Sequence, residues 1–202
     1  MHNVVVHLDR PDRSRLELGI DRAGRWAVPD DAWETFDVGD GVALPGLVDA
    51  HAHLSSADTE DMNGSRDSDV EHRIAAHAAA QLDAGVLLVA DKGTHLPATV
   101  GMTLAMQPQE RPEVQLAGRF LANPGGYYHG YAKEIDPGDL AGSVDAVTPE
   151  GATWVKVIGD WPRRGLGAVP NFDEGALGSL VAAAHGAGLR TAIHTAAPDT
   201  PG

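Results

Sequence analysis

The chain has 202 residues, 43% of them hydrophobic, and carries 29 acidic against 15 basic side chains for a formal charge of −14. This composition is enough for a globular core. It argues against a nucleic-acid or anionic-membrane surface, since both need clustered Lys and Arg. With no cysteine, disulfides, thiolate catalysis and Cys-held zinc are excluded, so any metal must be held by nitrogen and oxygen.

Residues 1–44 run in short apolar stretches, "NVVVHLD", "RLELGID", "RWAVP" and "TFDVGDGVAL", broken by Asp, Gly and Pro. That pattern predicts short antiparallel strands and tight turns, a small β unit. The start lacks a basic segment followed by a long apolar one, and the longest apolar run, "AGVLLVA", is far below a membrane span. A cytoplasmic protein with no membrane partner is expected.

From Gly46 the texture changes to strand-like runs, "LVDAHAHL", "GVLLVADKG", "VQLAGRFLA", "TWVKVIGD" and "GLRTAIHTA". Between the first two, "DSDVEHRIAAHAAAQLDAG" predicts a helix capped by Asp67 or Ser68, with Glu71 in the first turn and Gly85 as its stop. "FDEGALGSLVAAAHGAG" predicts another helix before the last run. Strands alternating with helical or irregular segments imply about five parallel βα units, in a barrel or a doubly wound sheet.

The chemistry begins at "LPGLVDAHAHL". On a strand, side chains alternate faces, so His51 and His53 point the same way, with Asp49 and Leu47. They form a chelating pair at a C-terminal strand end, where parallel β/α architectures gather their active groups. Alone, such a pair is as compatible with two solvated histidines. Lys156 lies inside the apolar run "TWVKVIGD", where an ammonium is expensive unless paired, with Asp160 for instance, or chemically changed. His194 ends the fifth run. A His-x-His pair, a lysine and a further histidine, all on strands, together point to a metal site.

These residues carry a resemblance. "ALPGLVDAHAHL" resembles the first barrel strand of the metal-dependent amidohydrolase superfamily, and the preceding residues resemble the small sandwich domain of many members. The resemblance implies a partial (β/α)8 barrel at 45–202, preceded by the N-terminal part of a β-sandwich at 1–44. It implies one or two divalent ions, zinc foremost, held by His51, His53, Lys156 and His194, with Lys156 carbamylated and bridging. "GVLLVADKG" resembles the second strand of the imidazolonepropionase-like and Xaa-Pro dipeptidase-like group, with Ala90 in place of an arginine before Asp91. "NPGGYYHGYA" resembles that group's Gly-rich loop, which makes Tyr128 and His129 candidates for substrate contact, against the alternative of an ordinary flexible loop.

The implied activity is hydrolysis of an amide or cyclic amide C–N bond, or of an Xaa-Pro dipeptide, by metal-bound hydroxide. The family's strand-six histidine and strand-eight aspartate have no counterpart in the sequence, and a full barrel takes roughly 250 residues. A fragment of a longer protein, a complementing chain or a homo-oligomer is therefore expected, with little activity from this length alone. A non-catalytic metal-binding or assembly half-barrel is the alternative. His95 is a possible supporting group. His2, His7, His72, His77 and His185 are expected to be solvated or packed, and Trp154 and Trp161 to pack around the lysine strand.

Overall fold

The computed structural model describes residues 4–9, 12, 14–30, 33–40, 42–56 and 69–196. The chain divides into two compact units, Met1–Pro45 and Gly46–Gly202.

The first unit is a four-stranded sheet of β1 (Val4–Asp9), β2 (Arg15–Ile20), β3 (Trp26–Ala27) and β4 (Glu34–Asp40), in the order β3-β2-β1-β4. β1 pairs antiparallel with β2, and β2 with β3. The expectation of purely antiparallel pairing fails at β4, which lies parallel to β1. A parallel neighbour requires a crossover rather than a hairpin, and the segment after β3 carries the chain back to the other edge of β1. Arg15 of β2 reaches its neighbour β1, with Nε 3.4 Å from Asp9, and beyond it β4, with Nη2 3.0 Å from Asp37.

In the second unit, β5 (Leu47–Ala52), β6 (Val86–Asp91) and β7 (Glu113–Leu116) form a parallel sheet in sequence order. The third expected strand is broken, resuming as β8 (Leu121–Ala122), which pairs with β9 (Lys133–Glu134). β10 (Trp154–Ile158) lies parallel to β8 on one side and to β13 (Arg190–His194) on the other. A parallel bridge between Ala117 and Trp154 continues the series from β7 to β10. A hairpin, β11 (Asp160–Arg163) and β12 (Gly167–Pro170), is inserted after β10.

The helices follow from apolar spacing and caps. α1 (Val70–Asp83) buries Val70, Ile74 and Ala78, four residues apart on one face. The expected caps Asp67 and Ser68 lie outside the described residues; the residue at the cap position is Asp69, whose side chain makes no capping hydrogen bond. Gly85, at φ 81°, ends this segment as expected, and its carbonyl accepts the Leu47 N–H at 3.1 Å, tying the helix exit to the start of β5. A short α2 (Thr99–Ala105) precedes β7, and α3 (Val144–Val147) precedes β10. α4 (Glu174–Gly186) is capped by Asp173, whose carboxylate accepts the Ala176 N–H at 2.8 Å.

α4 packs Leu177, Leu180 and Ala184 on Val155 and Val157 of β10, with Leu121, Leu140 and Val144 closing the cluster. Each fully buried leucine in it stabilises the fold by roughly 1.5–3 kcal/mol. A second cluster joins Leu54, Val86, Val89, Val100, Val114 and Leu116. These two cores fix the strands whose C-terminal ends carry the histidines. No described helix is long and apolar enough to cross a membrane.

Candidate active site

His51, His53, Lys156 and His194 converge within the second unit. Lys156 Nζ on β10 lies 3.5 Å from His51 Nε2 on β5, across 105 positions of sequence and between strands that do not pair. The His51 and His53 rings meet edge to face with centroids 5.3 Å apart. Their shared side, expected from strand alternation, holds. Asp49 accepts the Gln81 Nε2–H of α1 at 2.8 Å and the His51 backbone N–H at 3.0 Å. The β5–β6 register shifts between Asp49 and Ala52, and such an irregularity re-aims side chains on either side of it.

The His53 ring is held from behind. His53 Nδ1 lies 2.8 Å from the Gly93 carbonyl, so Nδ1–H donates and Nε2 keeps its lone pair. Gly93 in turn donates its N–H to Asp91 Oδ1 at 2.6 Å, and Asp91 Oδ2 accepts the Leu54 N–H at 2.7 Å. One buried carboxylate thus fixes both the segment that follows His53 and the carbonyl that orients its ring. His77 of α1, read as merely packed or solvated, places Nδ1 2.8 Å from the Leu54 carbonyl. His194 is paired in register with Ile158, its carbonyl accepts the Gly159 N–H at 2.8 Å, and Asp160 receives the Ala196 N–H at 2.9 Å just beyond.

The electrostatics favour uncharged nitrogen. Burial, reinforced by the nearby Lys156 charge, pushes His51 down to about 4, although part of its ring reaches solvent. His53 and His194 are lowered chiefly by burial; the Gly93 hydrogen bond opposes this at His53 and Asp160 opposes it at His194. Lys156, only 2% exposed, is pushed down to about 8 by burial and by the neighbouring Lys92. Lys92 is itself buried, with Nζ 3.2 Å above the Trp154 ring, a cation–π contact that compensates its lost hydration.

Among the described residues, no group of three or more His, Asp or Glu side chains is arranged to hold a metal ion. The donor chemistry nevertheless suits a metal, because burial keeps the three imidazoles neutral and brings the lysine toward its neutral form.

Of the two residues expected to contact substrate, His129 is exposed on its loop, whereas Tyr128 joins an aromatic cluster. Trp161 packs at the end of the lysine strand as expected, and Phe120 and Tyr127, which sequence alone left without a role, complete the cluster. Phe120 lies 5.7 Å from His53, Tyr127 5.7 Å from Phe120 and 4.5 Å from Trp161, and Trp161 5.9 Å from His194. His95 stacks on Tyr131 at 4.6 Å. The signal available in sequence was the spacing of three tyrosines within "GGYYHGY" and a tryptophan three residues past β10.

No family model matches the chain. Curated relatives include uncharacterised proteins of Mycobacterium tuberculosis strain H37Rv and Mycobacterium bovis, each 32% identical over 194 residues, covering 95% of this chain and 49% of the relative. The chain therefore spans about half the length of the curated relatives it matches. Among solved structures, an amidohydrolase superposes with a TM-score of 0.75 at 20% identity, over 96% of this chain and 56% of its own. A Xaa-Pro dipeptidase with methionine bound in its active site gives 0.71 at 19% identity with the same coverage. A prolidase complexed with N-methylphosphonate-L-proline gives 0.71 at 18%, also with that coverage. The chain shares its fold with about half the length of this amidohydrolase, this Xaa-Pro dipeptidase and this prolidase.

Proposed function

We propose that this chain supplies the metal-binding half of a hydrolase that cleaves carbon–nitrogen bonds other than linear peptide bonds, in an amide or cyclic amide. The observation that carries the reading is the meeting of His51 and Lys156 at 3.5 Å, with His53 and His194 beside them, at strand positions of one parallel system. In this reading the second unit is a partial (β/α)8 barrel and the first a portion of a β-sandwich.

His51, His53, Lys156 and His194 would hold one or two divalent ions, zinc foremost. When bound, such an ion lowers the pKa of water toward neutrality and polarises a carbonyl. The chain's own residues prepare for it. His53 presents Nε2 because Nδ1–H is committed to Gly93, and Asp91 keeps Gly93 in place. Lys156, disfavoured as an ammonium by burial, would react through its neutral amine with carbon dioxide. An N–C bond forms, a proton leaves, and the buried cation becomes an anionic oxygen donor.

A second reading, an Xaa-Pro dipeptidase-like peptide hydrolase, draws on the dipeptidase and prolidase among the structures of similar fold. A third, a non-catalytic metal-binding module, would use the same ligands without turnover. The full-length protein, expressed with zinc and bicarbonate, is tested for metal content by mass spectrometry and for turnover on amides, cyclic amides and Xaa-Pro dipeptides. Bound metal that falls in His51→Ala and Lys156→Ala, with turnover of amides or cyclic amides, supports the first reading. Turnover confined to Xaa-Pro dipeptides favours the second. Stoichiometric metal without turnover favours the third, and absence of metal in the intact protein refutes all three.

A further inference from the structure

The loop between β8 and β9 and the first residue after Asp160 build an aromatic wall that begins at one candidate ligand and ends at another. From His53 it runs through Phe120 and Tyr127 to Trp161 and His194, with no ring step longer than 5.9 Å. Tyr128 stands on the outer side of Trp161 with centroids 4.8 Å apart, and Tyr131 follows at 6.1 Å. The inner members are covered, Phe120 being 5% exposed, whereas Tyr128 is 49% exposed. The Tyr128 ring, left half in solvent and two ring contacts from the candidate ligand His194 through Trp161, offers a surface to another ring.

The wall is held rigid. Asn171, 3% exposed, donates from Nδ2 to the Gly126 carbonyl at 2.8 Å and to the Ile158 carbonyl at 2.9 Å, clamping the start of the tyrosine loop to the end of β10. A side chain at Gly126 would strike this amide, so close approach of the loop depends on glycine there. At the far end, Arg119 Nη2 donates to the Gly130 and Ala132 carbonyls at 2.9 and 3.1 Å. Rings pinned at both ends of their loop lose little entropy when a ligand arrives.

We infer that the substrate carries an aromatic ring next to the scissile bond, seated against Tyr128 and Trp161 while the bond faces His51, His53, Lys156 and His194. This rests on the hydrolase reading above for the position of the bond, but not for the binding of the ring. Ring burial against a preformed aromatic face is expected to tighten binding by about tenfold or more.

The experiment compares N-acetyl-phenylalanine amide with N-acetyl-alanine amide on the full chain, reading Kd by titration calorimetry and, separately, hydrolysis with zinc present. The phenylalanine probe is expected to bind at least about tenfold more tightly. Tyr128→Ala, at an exposed position that packing tolerates, should remove about two- to tenfold of that preference, and Tyr128→Phe should restore it. Equal binding of the two probes, no binding of the phenylalanine probe, or a preference unchanged in Tyr128→Ala overturns the inference. Ring-selective binding without hydrolysis of either amide leaves the aromatic wall standing and counts against the proposed reaction. Equal hydrolysis of both amides does the reverse.

Discussion

Replacing Asp91 tests whether one buried carboxylate holds the His53 segment. Asp91 is 7% exposed and accepts two backbone N–H groups, from Leu54 at 2.7 Å and Gly93 at 2.6 Å. Asp91→Ala strands both donors in a dry site at roughly 1–3 kcal/mol each, so ~2–6 kcal/mol of stability is expected to go. Asp91→Asn retains one acceptor oxygen but turns an N–H₂ donor toward the other N–H, and should lose about half as much. The pH dependence gives a second reading. Burial pushes Asp91 up to about 6 from an ordinary 3.8, against the opposing pull of the Leu54 and Gly93 hydrogen bonds. Between those values the folded state binds more protons than the unfolded one, so this group's contribution is fully present below pH 4 and lost as pH rises through 6. A displacement of about two pH units corresponds to ~3 kcal/mol. Urea unfolding followed by circular dichroism between pH 4 and 7.5 measures both quantities. A cost below about 1 kcal/mol for Asp91→Ala at pH 4, where the folded carboxyl is protonated, or an unchanged pH slope in Asp91→Asn, would refute the reasoning.

Three further outcomes follow from the same geometry. Lys156→Met keeps the volume and removes a buried cation displaced from 10.5 to about 8, so denaturation at pH 7 without metal should show a gain of up to ~3 kcal/mol, while metal content of the intact protein falls. Gly93 has φ 90° and a side chain there would strike the Gly118 carbonyl; Gly93→Ala should therefore cost more than ~1 kcal/mol by denaturant titration and broaden the His53 ring signals in NMR spectra. Asp173→Ala removes the acceptor of the Ala176 N–H at the start of α4 and should lower stability by about 1 kcal/mol without altering metal content.

The helices show what local pattern can carry. The two longer helices, α1 with its Gly85 stop and α4 before the last strand, are properties of short segments, so they were legible before any tertiary contact was known. The five strand-like runs likewise reappear, the third in two pieces, because apolar β-branched runs state their burial locally. The parallel placement of β4 was not legible, since strand direction depends on where a connection crosses.

The sequence by itself determined which candidate donors are available: a His-x-His pair, a lysine in an apolar run and a strand-terminal histidine, with no cysteine to compete. Their types, and the cost of burying a lysine, follow from composition and hydropathy alone. Only the tertiary structure decided that Lys156 meets His51, that Asp91 orients His53 through Gly93, and that Phe120, Tyr127, Tyr128 and Trp161 line up between His53 and His194. Those contacts join residues from separate strands and loops, where sequence spacing places no constraint on distance and packing does.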